Sequence, residues 1–299
     1  MSEPTIVLGA NQYGKAEVRL VRVDRDGRRH TITDLDVTSQ LRGDFTAAHI
    51  AGDNARIVAT ETQKNTVFAF ARDGVGTPEE FLLRLGRHFT GEFDGVTGGR
   101  WEAEQYTWTR IPVDGEGHDH SFVRGGTETR TAVVTFAGAE ATVISGLRDL
   151  AVLKSAGSEF HGFVRDRYTT LAETDDRILA TSVTARWRYN RLDVGFDESF
   201  AEVRRLLLEA FAGTHSLALQ HTLYEMGRRV LEARTEIDEI RFSMPNLHHI
   251  AVDLTPFGLD NPNEVFYAAD RPYGLIEAAV LRDGVPGNHP AWHGIAGFC

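Results

Sequence analysis

A chain of 299 residues with a formal net charge of −11 is a poor partner for nucleic acid, whose phosphates call for a basic surface. Its 41% hydrophobic and 25% charged residues are ordinary globular composition, enough for two domains of roughly 150 residues with a core each, and no apolar run approaches the ~20 residues of a membrane-spanning helix. The single cysteine, Cys299, excludes an intrachain disulfide and any site that needs several thiolates.

Residues 1–12 lack the basic start and apolar stretch of a signal peptide. Extended segments then flank Asp26-Gly27, a hairpin signal. Two helices are expected next, the first over about 62–71. The second opens with Thr77-Pro78-Glu79-Glu80, which is a capping threonine, a proline at the first helical position and a glutamate three residues after the cap. Its Phe81, Leu82, Leu85 and Phe89 fall on one face. Strands rich in Thr, Val and aromatics follow around 101–111 and 127–136.

The same order then recurs. Val183, Ala185, Trp187 and Tyr189 alternate with polar residues, the two-residue period of a half-buried strand. A helix is expected to begin near Asp197 and to gather Phe200, Val203, Leu207 and Phe211. A longer one should follow Thr214, with Leu219, Leu223, Met226, Val230 and Ala233 as its stripe. Strands return at Ile240, Phe242 and Met244 and at Ile250, Val252 and Leu254. Strands, two helices and strands, twice over, predict an α+β fold with helices on one face of each antiparallel sheet. The expected boundaries are 1–138, 139–284 and a Gly- and Pro-rich segment, 285–299, serving as a tail or an oligomer strap. Sheets of about four strands leave edges to be paired or covered, which favours assembly into a ring. The ending Ala296-Gly297-Phe298-Cys299 is not a peroxisomal Ser-Lys-Leu signal, so a cytoplasmic location is expected.

No GxGxxG, Walker loop, HExxH or nucleophile elbow occurs. His118 and His120 share a strand face and invite a metal reading, but no cysteine or compact carboxylate cluster completes a ligand set. An interface or hydrogen-bonding role suits that pair better. The informative stretch is 150–177, Leu-Ala-Val-Leu-Lys-Ser-Ala-Gly-Ser-Glu-Phe-His-Gly-Phe-Val-Arg-Asp-Arg-Tyr-Thr-Thr-Leu-Ala-Glu-Thr-Asp-Asp-Arg. It closely resembles the signature segment of the urate oxidase (uricase) family. Other matching pieces fall in the family's order: Tyr13-Gly14-Lys15, Val58-Ala59-Thr60, Lys64-Asn65-Thr66, His118-Asp119-His120-Ser121-Phe122, 216–220, Pro245-Asn246-Leu247-His248, and the run from Asp270 to Ile276. The likeness extends to about residue 282.

The resemblance implies tandem tunnelling-fold (T-fold) domains that pair their sheets into barrels. It also implies a homotetramer with a central tunnel and active sites at subunit interfaces. Residue by residue, it makes Lys15, Thr60 and His248 a proton-relay triad. Arg177 and Gln220 would grip the purine edge, and a guanidinium fork with a carboxamide suits its carbonyls and ring N–H groups. Phe160 would stack on the flat ring. Leu219 and Gln220 would offer backbone groups, Leu171 would wall the pocket, and Asn246 with Thr60 would flank the oxygen or water site. Glu61, whose backbone N–H would touch substrate, stands where the family usually has aspartate. Ala156 and Leu247 are the other departures, replacing a usual hydroxyl residue and a common lysine.

The implied reaction is oxidation of urate by O2 and water to 5-hydroxyisourate and hydrogen peroxide, with no metal or other cofactor. Ground-state oxygen is a triplet, so enzymes normally borrow a metal or flavin for this step. A doubly deprotonated urate is electron-rich enough to donate the first electron itself. Lys15 can act as base only in its uncharged form, and Thr60 can pass the proton on. Two alternatives stand beside this reading. One is another T-fold enzyme acting on a pterin or purine, whose zinc-dependent members need a ligand set missing here. The other is a purine-binding homologue without turnover, in which a damaged triad would be expected.

Overall fold

A computed structural model of the chain describes residues 6–269 and 271–298; Cys299 and Asp270 lie outside the described residues. The chain divides into two compact units, with the division between Ser145 and Gly146.

The first unit begins with β1 (Tyr13–Asp24) and β2 (Thr31–Gly43), antiparallel strands joined by a loop at Asp26-Gly27 that is longer than a two-residue turn. A short helix not foreseen in the sequence, α1 (Thr46–Ala51), precedes α2 (Thr60–Arg72) and α3 (Pro78–Glu92). Strands β3 (Val96–Val113) and β4 (Glu116–Ala137) complete the antiparallel order β1-β2-β3-β4. They run further than the apolar pattern suggested. Asp114-Gly115, both at positive φ (52° and 84°), close them into a two-residue hairpin, and that backbone matches the twist of the flanking strands.

Helix α3 begins as its sequence predicts. The Thr77 hydroxyl accepts from the Glu80 N–H at 3.2 Å, and the Glu80 carboxylate accepts from the Thr77 N–H at 3.0 Å. Phe81, Leu82, Leu85 and Phe89 are fully buried against β3 and β4, where Phe89 stacks on Trp101 with ring centroids 6.2 Å apart. A buried ion pair sits in this core. The Glu79 carboxylate, in the first turn of α3, accepts from the Arg130 guanidinium at 2.8 Å and from the Ser145 hydroxyl.

Strand β5 (Glu140–Lys154) runs across the division between the units. The second unit contains β6 (Leu179–Tyr189), α4 (Phe196–Gly213), α5 (Leu219–Ala233) and β7 (Ile237–Asn246). Next come the short strands β8 (His249–Ala251) and β9 (Phe266–Ala268), then β10 (Gly274–Leu281). Strand β7 lies between β6 and β10, antiparallel to both, and α5 covers β7 and β10. Of the expected stripe, Leu219, Leu223, Met226 and Val230 are buried, whereas Ala233 is exposed at the helix end. Helix α5 has 15 residues against 18 in α4, so it is not the longer of the two. It starts at Leu219, after a non-helical connector over 214–218. The alternation at Ile250, Val252 and Leu254 also misleads: only 249–251 is strand, paired with β9 in a separate two-stranded sheet, and β10 is what returns beside β7.

The C-terminal segment is seated on its own unit. The Trp292 indole, 5% exposed, donates to the Glu239 carboxylate at 2.8 Å and lies 4.4 Å beneath the Arg241 guanidinium. Among the described residues no helix is long and apolar enough to cross a membrane.

Removing the acid of a buried ion pair takes the acceptor from each buried donor that faced it, here Arg130 and Ser145. Glu79→Ala is therefore expected to destabilise the first unit by about 3–5 kcal/mol, measured by urea unfolding followed by tryptophan fluorescence. A change under ~1 kcal/mol would mean that Arg130 finds water or another partner without cost.

Candidate active site

Each unit gathers part of the expected set. In the first, Lys15 lies on β1 directly opposite Ser39 of β2, next to a bulge: register shifts between Lys15 and Val18, and Glu17 has φ 56°. Such bulges re-aim the side chains beside them. Two residues before Lys15, the Tyr13 hydroxyl accepts from the Val58 N–H at 2.8 Å and donates to the Val58 carbonyl at 3.1 Å. Two residues after Val58, Thr60 is the first residue of α2; the cap position is Ala59, so Thr60 is not the N-cap its type allows. Gln63 is fully buried. Its amide accepts from the Ser39 hydroxyl at 2.9 Å and donates to the Val58 carbonyl at 3.4 Å. Glu61 points outward, its carboxylate 3.6 Å from the Lys64 ammonium.

In the second unit the organising contact is a parallel bridge between Ser158 and Ser216, both fully buried. The Ser216 N–H donates to the Gly157 carbonyl at 2.9 Å, and the Glu159 N–H donates to the Ser216 carbonyl at 2.8 Å. Phe160 exchanges two backbone bonds with Thr174, at 2.9 and 3.2 Å, and the Arg177 N–H donates to the Ser158 carbonyl at 2.8 Å. These bonds bring the Arg177 guanidinium to 4.9 Å from the Phe160 ring centre. On the other strand of the bridge, the Ser216 hydroxyl accepts from Thr222 at 2.7 Å and donates to the Ala218 carbonyl at 3.0 Å, fixing the start of α5 at Leu219 and Gln220. Phe160, Arg177, Leu219 and Gln220 thus hang from one serine pair.

Leu171 is exposed on the 161–173 loop, which is laced by its own polar contacts. Arg165 donates to the Leu171 carbonyl at 2.7 Å, and the Gly162 N–H donates to Glu173 at 3.0 Å. Phe163 stacks on Phe160, with centroids 4.9 Å apart and planes 12° apart. Asn246 ends β7, in register with both Thr181 of β6 and Gly274 of β10. The next residue, Leu247, donates its N–H to the Ala180 carbonyl at 2.9 Å, and the His248 carbonyl accepts from the Ala269 N–H at 2.9 Å.

One cation of the expected set stands out electrostatically. Burial pushes the half-buried Arg177 guanidinium below its usual pKa. Among the described residues no carboxylate pairs with it or with Lys15, although the chain has 43 acidic residues against 32 lysines and arginines. A desolvated guanidinium without a counter-charge is an incomplete arrangement that a planar anion can complete. The histidine pair behaves otherwise. The His118 and His120 rings meet at right angles, centroids 4.6 Å apart, and the His120 N–H donates to His118 Nδ1 at 3.3 Å. No group of three or more metal-ligating side chains occurs among the described residues.

Sequence reasoning did not single out Tyr13, Gln63, Ser158, Ser216 or Phe163. Tyr13, Ser158, Phe163 and Ser216 lay inside matched stretches without being marked there; Gln63, between two such stretches, carries no local signal that separates it from an ordinary polar residue.

The chain matches the family model described as Uricase over residues 11–135 and 143–277. It is 67% identical over 294 residues to a uricase of Arthrobacter globiformis, covering 98% of this chain and 96% of that one. A uricase of Emericella nidulans is 38% identical over 292 residues, 92% of this chain and 97% of that one. The crystal structure of the uricase from Arthrobacter globiformis superposes with a TM-score of 0.94 at 66% identity, covering 97% and 99% of the two chains. That of a uricase from Bacillus fastidious gives 0.79 at 25% identity, covering 94% of each.

A Cβ placed on Gly14 would lie 1.7 Å from the Ser39 carbonyl oxygen, a backbone atom that cannot swing away. Gly14→Ala is therefore expected to force β1 from β2 beside Lys15 and to cost about 1–3 kcal/mol. Thermal unfolding and amide exchange along β1 would check it, and wild-type protection there would show that the strand tolerates the methyl group.

Proposed function

The chain belongs to the uricase family, and on that premise we propose that it oxidises urate with O2 and water to 5-hydroxyisourate and hydrogen peroxide, without a metal or organic cofactor. The observation that carries this reading is the half-buried Arg177 guanidinium. It has no carboxylate partner among the described residues and lies 4.9 Å from the Phe160 ring centre. An aromatic face beside an uncompensated fork of N–H donors fits a flat purine anion.

In the proposed roles, Arg177 and Gln220 hold the carbonyl and ring N–H edge of urate while Phe160 stacks on its face. Leu219 and Glu61 contribute backbone groups and Leu171 walls the pocket. Lys15, uncharged, takes a proton from urate, leaving the electron-rich dianion that gives one electron to triplet oxygen. Recombination of the resulting pair at C5 forms the hydroperoxide. Loss of hydrogen peroxide and addition of water at C5 then give the product, so the two electrons urate loses are those O2 gains. Thr60 and His248 relay protons between Lys15 and the bound oxygen species or water, with Asn246 flanking that position.

We further propose a homotetramer with active sites at subunit interfaces, acting in the cytoplasm. The family resemblance supports the assembly, as do the outer strands β1 and β10, each of which has, among the described residues, a neighbour on one side only and so leaves a row of backbone groups to pair.

The test is to treat the protein with a chelator, mix it with urate in air and follow urate absorbance, oxygen uptake and peroxide together. Equal loss of urate and O2, with matching peroxide, is expected. Activity abolished by the chelator would favour a zinc-dependent T-fold relative, and binding without turnover would favour a purine-binding homologue. Lys15→Met should lower kcat by about 10²–10⁴, the scale of a general base. Arg177→Gln removes charge-assisted hydrogen bonds worth about 1.5–3 kcal/mol and should raise KM roughly 10–100-fold. An unchanged KM would move the purine elsewhere.

A further inference from the structure

Proton transfer between two side chains needs heavy atoms about 2.6–3.2 Å apart, and a 1 Å misplacement can cost ~10²-fold in rate. Lys15 and Thr60 belong to different elements, so the spacing of β1 and α2 has to be held tightly. The ordinary devices are weak here. Among the described residues strand β1 has a neighbour only on its β2 side, and α2 starts at Thr60 behind Ala59, a cap position with no side-chain cap.

We propose that Tyr13 and Gln63 are positioning residues that lock Lys15 and Thr60 into one rigid frame. This rests on the relay roles proposed above. The contacts form a closed circuit that leaves β1 and returns to it. From Lys15 the path crosses to Ser39, its register partner on β2. The Ser39 hydroxyl reaches the Gln63 amide on α2 at 2.9 Å, and the same amide reaches back to the Val58 carbonyl at 3.4 Å. Val58 returns to β1 through Tyr13, whose hydroxyl satisfies both its N–H and its C=O. Val58 is buried, so those backbone groups have no water to fall back on.

The clamp is itself held. The Tyr13 ring meets the buried Phe45 edge-on, with centroids 4.7 Å apart. Burial raises the phenol pKa, so the hydroxyl keeps the proton it donates. Neither residue is asked to touch urate; each acts through the backbone that carries Lys15 or Thr60.

Tyr13→Phe keeps the ring and deletes the hydroxyl. Steady-state kinetics should show kcat falling about 10-fold or more while KM stays within about twofold, because the residues proposed to grip the purine are untouched. The pH profile of kcat should move as well, since a merely structural staple would not alter the titration of the relay. Gln63→Met, of similar length, should reproduce both changes. Native-state hydrogen exchange gives an arm independent of urate: the Val58 amide should exchange faster in Tyr13→Phe at an otherwise similar Tm. Unchanged kcat and unchanged Val58 protection in both variants overturn the proposal. So does a loss of kcat that only tracks a collapse in Tm. If the unmodified protein consumes no urate, the function proposed above falls together with the catalytic part of this inference, and Val58 exchange alone decides whether the clamp exists.

Discussion

A guanidinium held half out of water without a carboxylate beside it is an electrostatic debt, and among the described residues Arg177 is in that position. Burial weakens its charged form, and the neighbours that the fold supplies are a serine hydroxyl at 3.4 Å and an aromatic ring, neither of which neutralises it. Packing alone would not select such a residue, because a buried cation without a partner lowers stability. The proposed ligand resolves the conflict. A delocalised anion supplies the missing charge and lies flat where Phe160 can receive it. Net charge adds to the argument, because a chain carrying −11 repels anions at long range. Capture then depends on local donors at close quarters, within a Debye length of ~8 Å.

That demand explains why the irregular segments are so heavily tied. The 158–177 excursion has no regular secondary structure of its own, yet its two ends are pinned by the Ser158–Ser216 bridge and by the Phe160–Thr174 pair. The bridge reaches into α5 through Thr222, so a loop residue inherits the rigidity of a helix seated on β7 and β10. The first unit uses the same device with different chemistry, Tyr13 and Gln63 standing where the second unit has serines. In both, a few hydrogen bonds outside the main ladders transfer the order of the sheet to segments that the sheet does not include. Loops can carry chemistry on such terms.

The helices were the most legible part of the sequence, because their signals are local. Thr77-Pro78-Glu79-Glu80 announces a helix start by the hydrogen bonds it forms, and the Leu219-to-Val230 stripe is a repeat that only a helix buries. Strand identity was less legible. Ile250, Val252 and Leu254 alternate as a sheet strand should, but Ile250 is 57% exposed in a two-stranded ribbon, since alternation records which face is apolar and not whether anything covers it. Asp114-Gly115 carried a hairpin signal as strong as that at Asp26-Gly27, and only the first closes a two-residue turn. The site was legible in another way. Lys15, Thr60 and Asn246 each read as surface lysine, helix start and turn residue when taken singly. What marked them was their order along the chain beside the 150–177 segment, and order is silent about supports such as Ser158 and Gln63 that act through main chain.

The departures from the family pattern fall where that distinction matters. Leu247 stands where a lysine is common, but its structural contacts are made by backbone: its N–H to Ala180 and its carbonyl to the His249 ring. Any residue but proline keeps those bonds, so the course of the chain into His248 survives the exchange. Glu61 is longer than aspartate by one methylene. Its carboxylate turns outward to Lys64, and the group proposed to meet urate is its N–H, whose place is set by the first turn of α2. Ala156 is exposed beside Gly157, where the bond that secures the loop belongs to the Gly157 carbonyl and the Ser216 N–H. At all three positions the side chain varies while the main chain carries the geometry. A site built this way loses little by side-chain drift, but a change that moves the backbone itself, as a methyl group at Gly14 would, has no such shelter.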